Sequence, residues 1–241
     1  MIRILFVFLL FGGTLSGCVM NTHSADRAVM LEHNEAEILA YAGGSLSGGL
    51  LFEYNVGIGL GGRIGMSDNF MFGASADLNY NSHKPEWVDN ILYGQVSIEQ
   101  KLSIVKDIFA IKLKEGIFIN NFYGTISENP TTGLYAFVSQ EPVIPYISPS
   151  LLISPEGRKT KKWQLTIGLN STIGLRSGLN PWTVGGSLLF DYADQKDKFL
   201  TGFELGGGIQ RLVKDGDVVY LSLGIFFSKF KKVTPRPSLE Y

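Results

Sequence analysis

The 241-residue chain has one cysteine, Cys18, and three histidines, His23, His33 and His83. A lone thiol closes no intrachain disulfide, and no His or Cys pair stands at metal-ligand spacing. Charge is scarce as well. Asp, Glu, Lys and Arg make up 18% of the residues and sum to −1. That balance leaves no basic footprint for nucleic acid. Beyond the apolar stretch Ile4–Phe11, no run approaches the roughly 20 residues a helix needs to span a bilayer. If this chain crosses a membrane, it crosses with strands, because only helices and closed barrels pair every backbone group in hydrocarbon.

Catalytic signatures are equally thin. Gly57-Ile58-Gly59-Leu60-Gly61-Gly62 matches GxGxxG, but the dinucleotide fingerprint needs a strand before it and a helix after it. Here a two-residue period runs straight through. His83 follows Ser82, with Glu86 and Asp89 nearby. Adjacent side chains on an extended segment point apart, and no strained nucleophile elbow accompanies them. No catalytic residue, metal site or cofactor is expected, and the chain reads as a non-enzyme.

What the sequence has is glycine (29 residues), aromatics (12%) and sustained alternation. Between Phe70 and Asn81 one face reads Phe70, Phe72, Ala74, Ala76, Leu78, Tyr80. The other reads Met71, Gly73, Ser75, Asp77, Asn79, Asn81. Leu51–Met66, Leu92–Leu102, Trp163–Arg176 and Trp182–Tyr192 behave alike, and Phe199–Gln210 and Val219–Phe230 repeat the pattern less cleanly. Soluble strands have a modal length near 5–6 residues, whereas a tilted membrane strand needs about 9–11. Alternation at this length, run after run, predicts an all-β, antiparallel, up-and-down transmembrane β-barrel of eight to ten strands. Ten is favoured if Ile38–Ser47 joins the sheet. Turn signals divide the runs at Ser67-Asp68-Asn69, Lys106-Asp107, Ser177–Pro181 and Lys214–Asp217. Aromatics at run ends (Phe70, Tyr80, Trp163, Trp182, Tyr192, Phe230) suit interfacial girdles.

Two stretches resist this pattern. Phe109, Ile111 and Leu113 oppose Lys112 and Lys114, but the phase breaks at Glu115-Gly116, which suggests a bulge. Pro142, Pro145 and Pro149 then occupy an apolar segment, which reads as an edge-like strand or part of a long loop.

Alternation alone does not say which face is wet. Strand length and glycine on the polar face (positions 57, 59, 61, 65, 73, 168, 174 and 185) favour an apolar exterior and a polar lumen. Glu53, Arg63, Asp77, Glu99, Lys101, Lys112, Arg176, Asp191 and Glu204 then point inward. Their charges either pair as a structural filling or line a narrow polar pore. The competing arrangement is a soluble calyx or sandwich that binds a hydrophobic ligand. The basic run Arg158, Lys159, Lys161, Lys162 is either a solvated loop or a contact for lipopolysaccharide phosphates. Phe122, Tyr123 and Tyr135 belong to a projecting adhesive hairpin or to a folded loop.

Arg3, the apolar Ile4–Phe11 and the tetrapeptide Leu15-Ser16-Gly17-Cys18 resemble a bacterial lipoprotein signal with its lipobox. The resemblance implies cleavage before Cys18 and a covalent lipid (palmitate-type acyl chains) on its thiol and amine. Val19 in the following position resembles lipoproteins sent to the outer membrane. The plainer alternative is an ordinary secretory signal with an incidental cysteine. Residues 50–230 resemble small outer-membrane barrels of the OmpA-transmembrane, OmpX and OmpW kind, in pattern rather than in any unique motif. Such barrels often close on an aromatic residue. Phe230 would fill that place, although an eleven-residue tail follows it.

The resulting expectation has four parts: a signal peptide at 1–17, a lipidated tether at 18–37 with a short amphipathic helix around Ala28, Leu31, Ile38 and Leu39, a barrel at 38–230, and a tail at 231–241. The resemblance implies partners in outer-membrane lipids and in the barrel-assembly and lipoprotein-sorting machineries. The expected role is structural, adhesive or envelope-maintaining. A small channel or carrier for polar or amphipathic molecules is the alternative.

Overall fold

The structure is a computed structural model. It describes residues 26–47, 53–81, 91–120, 143–156, 163–175, 182–194, 199–213 and 216–232. Cys18, His23, His83, Arg176, the 158–162 basic run, the aromatics of 122–135 and the tail beyond residue 232 lie outside the described residues. So does the Glu53 side chain, although its backbone is described.

Ten strands run up and down: β1 (Glu35–Ser47), β2 (Glu53–Ser67), β3 (Phe70–Asn81), β4 (Ile91–Val105), β5 (Phe109–Asn120), β6 (Val143–Ile153), β7 (Trp163–Gly174), β8 (Trp182–Asp194), β9 (Phe199–Val213) and β10 (Gly216–Lys232). Each pairs antiparallel with its sequence neighbour. β1 pairs with β10, Ala40 facing Phe227, and this closes an all-β barrel. Ile38–Ser47 is the strand that raises the count to ten. One rim carries the start of β1 and the end of β10, with the tight turns Ser67–Phe70 and Val105–Phe109. We call it the terminal rim. The opposite rim carries the long connection 121–142 and is called the loop rim.

The barrel is apolar outside and polar inside. Ile58, Leu60, Leu221 and Leu223 are more than half exposed, while Arg63, Glu99, Lys101, Asp191 and Gln210 are buried. This overturns the calyx and sandwich alternatives, in which the apolar face would line the interior. A continuous exterior of this kind is far beyond the few hundred Å² that water-soluble monomers leave exposed. The belt also has the right height. On β3, Phe70 and Tyr80 point outward near opposite ends, ten residue steps apart. At about 3.4 Å per step and a tilt of about 40°, that is roughly 26 Å, close to the apolar band of about 25 Å on membrane barrels. Trp163 packs edge-on against Tyr192 at 5.1 Å near the terminal rim, as an interfacial girdle would. Phe230 does not belong to it. Its ring faces inward, packs beside the Leu39 and Met30 clusters, and has the Arg27 guanidinium 5.1 Å above its centroid.

The bulge expected at Glu115-Gly116 is absent. Pairing runs unbroken from Ile98↔Glu115 to Ser97↔Gly116, and the register shift of this pair lies at Ser103/Val105 beside the turn. A Cβ on Gly116 would press on the Val96 carbonyl and the Tyr146 hydroxyl, so glycine keeps the inward phase. Glu115 consequently faces outward.

The proline-rich stretch is an inner strand of the closed barrel, neither an edge nor a loop. Pro145 and Pro149 point outward and face β7 with their missing N–H groups. The β6–β7 register, continued past Ile147↔Ile173, puts Pro149 opposite Ser171. The orphaned Ser171 carbonyl accepts instead from Ser148 Oγ at 2.9 Å, and that hydroxyl lies 2.9 Å from Thr172 Oγ1. Side-chain rescue of a lost ladder bond is what admits proline here. Ser148→Ala is expected to destabilise the barrel by about 1–3 kcal/mol, the cost of an unmet buried carbonyl. Urea titration of the folded band on cold detergent gels measures it, and an unchanged midpoint contradicts the repair.

Candidate functional site: a lumen filled by the N-terminal segment

The segment before β1 is not a solvent-exposed tether, and residues 26–34 contain no helix. Asp26, Arg27, Ala28, Val29, Met30 and Leu31 are all buried inside the barrel. The helical reading fails because Ile38 and Leu39 belong to β1, where consecutive residues take opposite faces. Ile38 is 71% exposed and Leu39 3%. A tight turn at the terminal rim redirects the chain. Asn34 adopts φ 60°, Glu35 N–H donates to the Glu32 carbonyl at 2.9 Å, and Asn34 N–H donates to the Gly65 carbonyl at 3.0 Å. Asn tolerates this left-handed conformation better than most residues.

Inside, the segment is held by charge at one end and apolar contact at the other. Asp26 pairs with Arg63 at 2.8 Å and with Lys112. Arg27 pairs with Glu37 at 2.9 Å. Arg63 also reaches Glu37 at 3.5 Å and binds Glu99 through Nε. Lys101 Nζ donates to two segment carbonyls, Arg27 at 2.8 Å and Val29 at 3.1 Å. Met30 N–H donates to Asp107 Oδ1 at 3.1 Å, from a turn residue with φ 59°. Ala28 packs on Ala110 and Leu152, and Met30 and Leu31 pack on Met71. Eight-stranded barrels are narrow enough for strand side chains to fill them. Ten strands with glycine at inward positions 57, 59, 65 and 73 leave more room, and this segment occupies it.

Toward the loop rim the filling continues. Lys114 approaches Asp77 at 3.8 Å. Gln95 donates to the Tyr146 hydroxyl, and the Tyr146 ring lies 4.3 Å from Phe118. Nearer the terminal rim, on the wall of β1 and β8–β10, Leu39, Leu189, Leu200 and Phe226 form an apolar cluster inside the lumen. The voids beside Lys114 and beside Arg63 are about the size of a single water.

Of the charges singled out in the sequence, Arg63, Glu99, Lys101 and Lys112 meet around the segment, and Asp77 lies nearer the loop rim. Glu204 and Asp191 are buried in the lumen on β9 and β8. Neither Asp191 oxygen has a hydrogen-bond partner among the described residues. Sequence reasoning missed Asp26, Arg27, Glu37 and Lys114. The two-residue period reveals Glu37, in phase with Leu39, and Lys114, in phase with Lys112. No periodicity marks Asp26 or Arg27. Among the described residues no group of three His, Cys, Asp or Glu is placed to hold a metal.

No protein-family model matches the sequence, and no curated protein matches it. Solved structures of similar shape include Ail, the attachment invasion locus protein of Yersinia pestis, with TM-score 0.35, 10% identity, 81% of this chain covered and 99% of that one. The outer membrane protein OprG from Pseudomonas aeruginosa gives TM-score 0.34 and 11% identity over 86% of this chain and 100% of that one. CymD, a monoaromatic hydrocarbon channel, gives 0.36 and 10% over 83% and 89%. Likeness this remote carries no argument about function, and the barrel stands on its own closed ladder of ten strands.

Proposed function

We propose that this chain is an integral outer-membrane β-barrel, lipid-anchored at Cys18, with a structural, adhesive or envelope-maintaining role and no catalytic activity. The observation that carries this reading is the pairing of a lipid-compatible belt with a filled lumen. The N-terminal segment and the paired charges around it occupy the terminal half of the lumen, which disfavours the channel alternative. Membrane barrels keep short turns on the periplasmic side and long loops outside. The terminal rim, with its tight turns, is then periplasmic. That orientation constrains the anchor. Seven residues separate Cys18 from Asp26, and at about 3.3–3.6 Å each they reach up to about 25 Å. Asp26 is the inner end of the segment, beside Arg63 and Lys112, so a lipid in the periplasmic leaflet requires the chain to turn back toward the terminal rim within those seven residues. Partners in this reading are outer-membrane lipids; the basic run 158–162 joins β6 to β7, whose linked ends Ile153 and Trp163 lie at the terminal rim, so this orientation disfavours it as a lipopolysaccharide contact.

The test combines three readouts on the full chain. Detergent-extracted protein is expected to migrate as a folded band in cold sodium dodecyl sulfate and to shift on boiling. Planar bilayers containing it are expected to show no conductance steps. Cys18→Ser is expected to abolish labelled-palmitate incorporation while leaving the folded band. Stable steps of conductance would sink the closed-lumen reading. A chain monodisperse in plain buffer would sink the membrane reading.

A further inference from the structure

One patch of the outer belt breaks its apolar rule. Glu115 is the seventh of the twelve residues of β5 and points outward between Ile98 on β4 and Ile147 on β6. Gln100, also outward and exposed, faces Leu113 and so lies diagonally across from Glu115. Pro149 flanks Leu113 on the other side, at the interrupted β6–β7 seam. Among the described residues neither the Glu115 nor the Gln100 side chain has a hydrogen-bond or ion-pair partner. The other outward charges on described strand side chains, Lys229 and Lys231, sit at the terminal rim within reach of water. A carboxylate in mid-belt is different. Ionisable groups at that depth almost always face protein or a wet cavity, because hydrocarbon solvates neither charge nor unmet hydrogen bonds.

We propose that the outer face of β4–β7 docks a second copy of this chain within the membrane. This rests on the membrane reading above. The occupant follows from the chemistry of the patch. An ionised Glu only accepts hydrogen bonds, and the Gln amide donates two. Acceptor and donor lie side by side on one face, so the face complements itself, which is the condition for a two-fold contact between identical subunits. Glu115 of each copy receives the amide of Gln100 of the other, and both pairs form at once. A foreign partner would answer one of these groups, whereas a second copy inserted in the same orientation answers both. Ile98, Leu113, Ile117 and Ile147 surround the pair and supply close apolar packing, the other source of association in lipid.

Thiol crosslinking in lipid vesicles tests it. Leu113→Cys places a reporter beside the proposed two-fold axis, which runs between β4 and β5, and Leu205→Cys on β9 serves as control. Each variant is first shown to be folded by its heat-shifted band. Oxidation is expected to give a covalent dimer with Leu113→Cys, and not with Leu205→Cys or with the parent chain. Adding Glu115→Leu is expected to reduce that dimer about tenfold, as two lost intramembrane hydrogen bonds imply. Leu suits lipid, so this variant is expected to fold. Inserted protein that crosslinks equally at both positions, or a dimer indifferent to Glu115→Leu, overturns this proposal alone. Protein that never inserts overturns the membrane reading and this proposal together.

Discussion

Replacing Arg63 with Met is expected to cost the folded barrel about 3–5 kcal/mol, the typical penalty for removing one partner of a buried ion pair. Arg63 is where the lumen network converges. It binds Glu99 through Nε, Asp26 at 2.8 Å and Glu37 at 3.5 Å, with its side chain 4% exposed. Without it Asp26 keeps Lys112 and Glu37 keeps Arg27. Among the described residues Glu99, on the wall of β4, loses its one ion pair. The cost arises less from the lost attraction than from a carboxylate stranded away from water. A second substitution should therefore repair most of it. Arg63→Met with Glu99→Leu is expected to be markedly more stable than Arg63→Met alone, a coupling that a double-mutant cycle isolates. With urea slopes of about 1–3 kcal/mol/M, the single variant should lower the midpoint of the folded band by roughly 1–5 M. A shift near zero would show that the network contributes nothing to the fold.

Gly65→Val is expected to loosen the hold of the lumen on the N-terminal segment while leaving the barrel closed. Gly65 lies at the terminal rim where the segment crosses. A Cβ there would run into the Glu32 carbonyl and lie 2.9 Å from the Leu31 carbonyl. Both are backbone atoms, so no side-chain rotation relieves the clash. The strand itself is held by β1 and β3, with Ala36 facing Ile64 and Gly65 facing Met71. The less anchored element yields. Overpacking of this kind costs about 1–3 kcal/mol, which raises the exposed population of the segment about 5–150-fold. Arg27, 8% exposed in the parent barrel, then becomes a trypsin site. Cleavage after Arg27 should accelerate by that factor, with the folded band still shifting on heating. Equal protection in both proteins would mean that the segment does not rest on this rim.

Strand content was legible because it depends on a local property. Successive side chains on an extended backbone take opposite faces, so Phe70–Asn81 and Trp163–Gly174 announce themselves by alternation. Legibility failed where one residue contradicted the expected face. Glu115 is a charge on the outward side, and the alternation was misread there as a bulge. It failed again at Pro145 and Pro149, because the hydroxyl that replaces the missing donor comes from Ser148 and its acceptor from Ser171 on the next strand. The lumen charges of the strands followed from the same two-residue rule. Asp26 and Arg27 did not, since they sit on no strand and no period runs through them.

Alternation and run length by themselves determined long strands with apolar residues on one face and polar residues on the other. Tertiary structure alone decided that ten strands close, that the polar face lies inside, and that the chain's own N-terminal segment fills the space. The physical reason is range. Alternation is set by neighbours one residue apart, whereas the segment is held by partners such as Lys112, 86 positions beyond Asp26. Those groups meet only after closure has set the width of the lumen.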